Sequence, residues 1–301
     1  MTAPARASAV LFAGGLLLGT LAPAPPSSAP LRSPGGEQVL EADFHVHGYF
    51  GDGALAPWDL SREARRNGLH VFALTNHNQT FAARLAHWLA RRNGFPIVLI
   101  GEEVTAPDYH MIAAGIRSTV DWRPGARAVV EAIHAQGGRA IAAHPGALYW
   151  PGLAPALASL DGAEVWHPLV YAHPEGRLGL HAFQERLRGT RNEIAAIGSS
   201  DFHVMSALGL CRTYVFVREV SEAGVLDALG AGRTVVVDDR GQPYGDPQRA
   251  RFLMEAGLPA QTALRLRRTP WERAAMLSAW LGLLGLVVFR RASDSGDDGA
   301  C

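Results

Sequence analysis

The chain has 301 residues, and its 28 basic side chains, all of them Arg, balance 28 acidic ones. Without Lys there is neither a P-loop lysine nor a Schiff-base amine, and zero net charge leaves no electrostatic footprint for a long nucleic acid. Two Cys, Cys211 and Cys301, exclude a disulfide framework, a zinc finger and an iron–sulfur cluster, whereas the 12 His ask for an explanation.

The first 24 residues open with Arg6 and the apolar run 7–22, the pattern of a signal peptide or signal anchor. Pro follows Ala22, Ala24 and Ala29, a poor context for cleavage, so both readings stay open. Residues 25–38, rich in Pro, Ser and Ala, read as a linker. From 39 to 240 apolar strands alternate with helices. Strands are predicted at 39–48, 70–78, 96–105, 109–116, 139–146, 162–168, 193–203, 211–217 and 233–239, with helices at 57–68, 80–94, 126–138 and 221–232. This alternation implies a parallel sheet, and about seven units in ~200 residues suit a closed α/β barrel. Residues 241–270 form an extension. A transmembrane helix is predicted at 271–291: its charge-free run 274–289 covers ~24 Å, and Trp271, Arg273, Arg290 and Arg291 at the boundaries make up the difference to the hydrocarbon core. Residues 292–301 are a polar tail. The signal-like start argues that the middle is exported. Arg265, Arg267, Arg268 and Arg273 before the second span argue the other way. The expectation is a membrane-anchored chain with an extracytoplasmic catalytic domain.

The chemistry-bearing residues gather near the C-terminal ends of the predicted strands, where α/β barrels build their sites. His45 and His47 form H-x-H, and alternate residues of a strand face one side, ~6–7 Å apart. Asp52 follows in the turn GDG, His77 lies in ALTNHN, Glu103 in GEEVT and His110 in YHMIAAG. His144 lies in AAHPG, and Asp201 and His203 form a second same-side pair in GSSDFH. Each alone reads as an ordinary core or turn residue. Nine together at strand ends point to a metal centre of imidazoles and carboxylates.

In order and spacing, H-x-H, D-G, T-x-H-N, G-x-E-V-T, a further His, H-P and S-D-x-H resemble the polymerase-and-histidinol-phosphatase (PHP) superfamily of metallohydrolases over residues 41–239. GEEVTAPDYHMIAAG, GAEVWHP and ALGAGRTVVV look like its carbamate-hydrolase-like branch, the CehA/McbA group. The resemblance implies an α/β fold of distorted (β/α)7 barrel type and two or three divalent metal ions (Zn, Mn or Fe). It implies that one metal takes His45, His47, Glu103 and Asp201, a second Glu103, His110 and His144, and a third Asp52, His77 and His203. Glu103 is chosen over Glu102 by the family pattern, and Glu102 is expected to face the opposite side of its strand. Asn76 stands where the family usually has Asp, and His167 where the branch often has Asn.

The function so implied is hydrolysis by a metal-bridging hydroxide, with Glu103, Asp201 and His203 as catalytic residues. The substrate is a small molecule, a phosphate ester in the first reading, with Arg177, Arg212 and Arg233 available to grip phosphate. The alternatives are an amide, ester or carbamate hydrolase of the CehA/McbA type, and a non-catalytic membrane-anchored barrel that binds metal or a ligand. No G-x-S-x-G nucleophile elbow is present.

Overall fold

The computed structural model describes residues 2–22, 29–93, 96–168, 174–191, 193–204, 206–257 and 269–294. In chain order, α1 (Ala3–Leu21) precedes β1 (Leu31–Arg32), β2 (Gln38–Val46), α2 (Pro57–Arg66), β3 (Val71–Leu74) and α3 (Phe81–Asn93). Next come β4 (Ile97–Ala106), β5 (Tyr109–Ala114), α4 (Ala126–Ala135), β6 (Arg139–Ala142), the single turn α5 (Trp150–Leu153) and β7 (Gly162–Trp166). The remainder is α6 (Pro174–Arg188), β8 (Ala195–Gly198), β9 (Thr213–Val217), α7 (Glu222–Gly230), β10 (Thr234–Val237), β11 (Pro243–Gly245), α8 (Pro247–Glu255) and α9 (Pro270–Asp294). Residues 27–265 form one unit and the two chain ends another.

The first unit is a barrel-like sheet ordered β11-β10-β9-β2-β3-β4-β5-β6-β7-β8, with β1 beside β2. The parallel sheet expected from the sequence is corrected to a mixed one. The pairs β2/β3, β3/β4, β6/β7 and β7/β8 are parallel, whereas β4/β5, β5/β6, β9/β2 and β10/β9 are antiparallel. Only Pro107 and Asp108 separate β4 from β5, and a parallel crossover needs a dozen or more residues. β5 therefore runs back along β4, and β6 restores the original direction. The helix α6 was missed in the sequence because Gly176 and Gly179 interrupt its pattern.

The sheet nearly closes between β8 and β9. Gly198 N donates to Thr213 Oγ1 at 2.9 Å, and the Thr213 hydroxyl lies 2.9 Å from Gly198 O. Gly198 permits this approach, since a Cβ there would sit 2.8 Å from Cys211 O and 2.9 Å from Val236 Cγ1. Inward residues including Leu40, Ala42, Phe44, Ile112, Ile141, Ala195 and Ile197 pack with Val225, Ala228 and Leu229 of α7, forming a dry core. Ser221 caps α7 by accepting from Gly224 N.

In the second unit α1 and α9 pack against each other, and each is long and apolar enough to cross a membrane by length and composition. The apolar part of α9 runs from Pro270 to Phe289, 20 residues, or ~30 Å. Small residues let the backbones approach: a Cβ on Gly15 would lie 2.4 Å from Ala279 N, and one on Gly282 2.3 Å from Phe12 N. Leu17, Leu21, Leu277, Trp280 and Leu284 are exposed on the pair. Arg265, Arg267 and Arg268, on which the opposing topology argument rests, lie outside the described residues, as do residues 295–301 of the tail.

Candidate metal centre

Two irregularities in the strands position the first ligands. Between the pairs Asp43↔Phe72 and Val46↔Leu74, β2 advances three residues against two of β3. Such a bulge re-aims the side chains beside it, here His45 and His47. The chain after β8 then runs alongside the end of β2: His47 N donates to Phe202 O at 2.8 Å, and Phe202 N to His45 O at 3.3 Å. This brings Asp201 and His203 to the two imidazoles. Buried Asp43 ties the junction, accepting from Ser200 N at 3.1 Å, Gly209 N at 2.8 Å and His45 N at 3.3 Å. Burial pushes its carboxyl pKa up. Sequence reading passed over Asp43, although its place two residues before His45 on an apolar strand was a signal.

All nine sequence-predicted positions meet in one cluster, in overlapping groups. In the first, His45 Nε2 and His47 Nε2 lie 3.2 and 3.3 Å from Asp201 Oδ1, and 3.3 and 3.4 Å from Glu103 Oε2. In the second, Glu103 Oε1 lies 2.7 Å from His110 Nδ1 and 3.2 Å from His144 Nε2. In the third, Asp52 Oδ2 lies 3.2 Å from His77 Nε2 and 3.1 Å from His203 Nε2, while Asp52 Oδ1 lies 3.0 Å from His47 Nδ1. Glu103 Oε2 also reaches His77 Nδ1 at 2.9 Å, so this carboxylate joins the groups. His45, His47 and Glu103 are buried, whereas His77, His203 and Asp52 are partly open, with side chains 37%, 33% and 47% exposed. The centre therefore has a closed floor and an accessible side.

Glu102 stays out of the cluster, with Oε1 accepting from Val120 N at 2.6 Å. Burial raises its pKa to about 7. His167 is buried, its Nε2 3.4 Å from Asp201 Oδ2. Glu164, assigned no role from its place in the sequence, is fully buried against His45. The three arginines considered for phosphate are engaged elsewhere: Arg177 with Asp239, Arg212 with Glu41, and Arg233 with Asp227. Aromatic rings flank the ligands instead. Tyr149 stacks on His110 with ring centroids 4.9 Å apart, and Tyr49, Phe50 and Phe81 form an exposed group next to Asp52 and His77 in sequence.

Among the described residues, four non-glycine residues have positive φ: Phe50 (76°), Asn78 (48°), His144 (27°) and Asp201 (46°). Two are ligand candidates and the other two flank candidates. Backbone in this region costs a non-glycine residue ~1–2 kcal/mol.

The donors fit divalent cations. His45 Nε2, His47 Nε2 and Asp201 Oδ1 are buried, make no hydrogen bond and converge on one point, which is costly unless another group satisfies them. Without metal, burial disfavours charge on His45, but Asp201, Glu103 and Glu164 outweigh it and hold its pKa well above the usual value. Burial likewise opposes the charge on Glu103, and His45 with the bonds to His110 and His144 draws its pKa far down. Asp201 is lowered in the same way, against burial, by His45 and His167. A site whose carboxylates hold a buried imidazole charged is one in which a cation can take over that positive charge.

A family model described as PHP-associated matches residues 189–234, which include Asp201 and His203. The chain's barrel resembles a crystallised two-domain protein of Bacteroides vulgatus, described as containing a predicted PHP-like metal-dependent phosphoesterase. That likeness has a TM-score of 0.57 at 21% identity, covers 71% of this chain and 69% of the other, and shows the shared fold. The family-model match points to the PHP superfamily over that segment. An uncharacterized protein of Methanocaldococcus jannaschii is 26% identical over 141 residues, covering 42% of this chain and 82% of its own length. An amidohydrolase of Chromobacterium violaceum is similar at 16% identity with a TM-score of 0.45, covering 67% of this chain and 99% of the other.

Proposed function

We propose that the chain is a metal-dependent hydrolase of the PHP type that cleaves a small phosphate ester. The observation that carries this reading is the gathering of nine imidazole and carboxylate side chains in overlapping groups, buried at His45, His47 and Glu103 and partly open at Asp52, His77 and His203. When bound, two or three divalent ions supply positive charge opposite a developing anionic oxygen and acidify water in the cleft. Zn, Mn and Fe all suit this donor set. Glu103 joins the ligand groups and fixes their spacing. Asp201 faces the buried pair His45 and His47. His203, at the open side, donates through its Nδ1 to Asp201 O at 3.0 Å, which turns its Nε2 to Asp52 and to a cation held beside it at the substrate-facing edge. The relative from Bacteroides vulgatus, described as a predicted phosphoesterase, supports the phosphate reading by fold.

A second reading, an amide, ester or carbamate hydrolase of the CehA/McbA type, is favoured by one observation. The arginines suited to phosphate are paired elsewhere, and aromatic rings stand beside the ligands. The test is a panel of phosphate esters and of aryl carbamates, esters and amides, assayed with added Mn(II) or Zn(II). Turnover of phosphate esters supports the first reading. Turnover of carbamates or amides with inert phosphate esters replaces it with the second. Less than one bound metal per chain under metal-replete conditions would leave a non-catalytic barrel. We further propose that α1 and α9 anchor the chain in a membrane with the barrel unit outside the cytoplasm.

A further inference from the structure

Glu164 lies on β7 where the pairing with β8 slips: Glu164 faces Ile197 and Trp166 faces Gly198, so Val165 is extra. Its side chain is fully buried and points to two elements at once. Oε1 lies 3.0 Å from His45 Nδ1, and Oε2 accepts from the backbone N of His144 at 2.6 Å. His45 then turns Nε2 towards Glu103 and Asp201. His144 is one of the four positive-φ residues and precedes Pro145, and the bond to Glu164 holds that backbone in place.

We propose that Glu164 is a positioning residue of the metal centre. By accepting from His45 Nδ1–H it fixes the tautomer whose Nε2 lone pair faces the cluster, and by accepting from His144 N–H it sets the direction of a second ligand. This inference rests on the metal-centre reading. The chemistry requires a carboxylate. Both neighbours are donors, and a carboxylate offers an acceptor to each. An amide offers one acceptor and one donor. With its oxygen held by His144 N–H, the amide nitrogen faces His45 Nδ1. The imidazole relieves the clash by moving its proton to Nε2, which removes the lone pair that would bind metal.

The test is Glu164→Gln in the full chain in detergent, with two readouts besides turnover. Zn(II) affinity, titrated against a competing chelator, is expected to fall ~10–100-fold at one site. In histidine-15N-labelled protein loaded with Zn(II), the wild-type His45 resonances, assigned by their loss in His45→Gln, are expected to show a protonated Nδ1 and a metal-bound Nε2. Wild-type zinc affinity in Glu164→Gln overturns the proposal, and so does a protonated Nε2 on His45 in the wild type. The wild-type spectrum decides even where the variant does not fold. Failure of the wild type itself to bind zinc removes the metal-centre reading and is distinguishable, because it appears before any substitution is made.

Discussion

Asn76 grips the backbone of Gly48 with both ends of its amide: Oδ1 accepts from Gly48 N at 2.8 Å, and Nδ2 donates to Gly48 O at 3.2 Å. The departure from the usual Asp is thus a working contact, because a carboxylate has no donor for Gly48 O. Asn76→Asp would set two acceptors against each other in a buried site, at ~1–3 kcal/mol. The affected turn carries Asp52. We expect a lower Tm and weaker metal binding by Asp52, His77 and His203. A variant with wild-type Tm and full metal content would overturn this account.

Glu103 touches five imidazoles of the cluster, those of His45, His47, His77, His110 and His144. Glu103→Gln should lower turnover ~100-fold or more and reduce bound metal. His87, on α3, bonds Val98 O at 2.8 Å and lies outside the cluster, so His87→Gln should leave both quantities near wild type. Metal analysis and initial rates on the two variants check the contrast, and equal effects would mean that the centre is misplaced.

Chelation should destabilise the fold, since buried donors that converge in the native state are apart in the unfolded chain. At a metal concentration ~100-fold above its Kd each ion adds ~2.7 kcal/mol, or ~5–10 °C in Tm for a domain of this size. Calorimetry with and without chelator measures it. An unchanged Tm would show that the cluster is satisfied without ions.

Glu102 provides a pH dependence separate from the ligands. Burial lifts its folded pKa from 4.5 to about 7, so the native state holds a proton that the unfolded chain releases first. The stabilisation is fully present below pH ~4.5 and is lost as pH rises through ~7. Glu102→Gln should therefore flatten the Tm profile of the metal-free protein between those values. A profile as steep as wild type would assign the dependence to other groups.

The chain ends invite a labelling experiment. Cys211 is buried and Cys301 lies in the tail, so a membrane-impermeant maleimide should report on Cys301. If α1 stays attached and both helices span, Thr2→Cys and Cys301 should react from the same side of the membrane. Loss of the Thr2→Cys label from the mature chain would mean that α1 is removed. Gly15→Leu should separate α1 from α9, read as lost cross-linking between cysteines placed at Gly19 and Ala275, where a Cβ on Gly19 would lie 3.7 Å from Ala275 Cβ.

That these nine side chains would gather in one place was legible, because metal chemistry restricts residue type and strand ends restrict place, and both restrictions act locally. His45 and His47 could be paired from alternation alone. Glu164 was not legible, because it acts through His45, more than 100 residues distant in sequence; Asp43 carried a local signal, but its partners Ser200 and Gly209 lie as far away. The antiparallel β4–β5 turn was available from the two-residue gap but was outweighed by the wider alternation. The engagement of Arg177, Arg212 and Arg233 was invisible, since an arginine's partner depends on the folded neighbourhood.

The four left-handed residues have a consequence for anyone who would evolve this protein. Phe50, Asn78, His144 and Asp201 are where a glycine relieves local torsion. A selection for thermostability alone would be drawn to those positions and would loosen the geometry that gathers the ligands. Robustness and activity should therefore trade against each other along four named backbone sites, and a screen that scores both at once is the way to separate them.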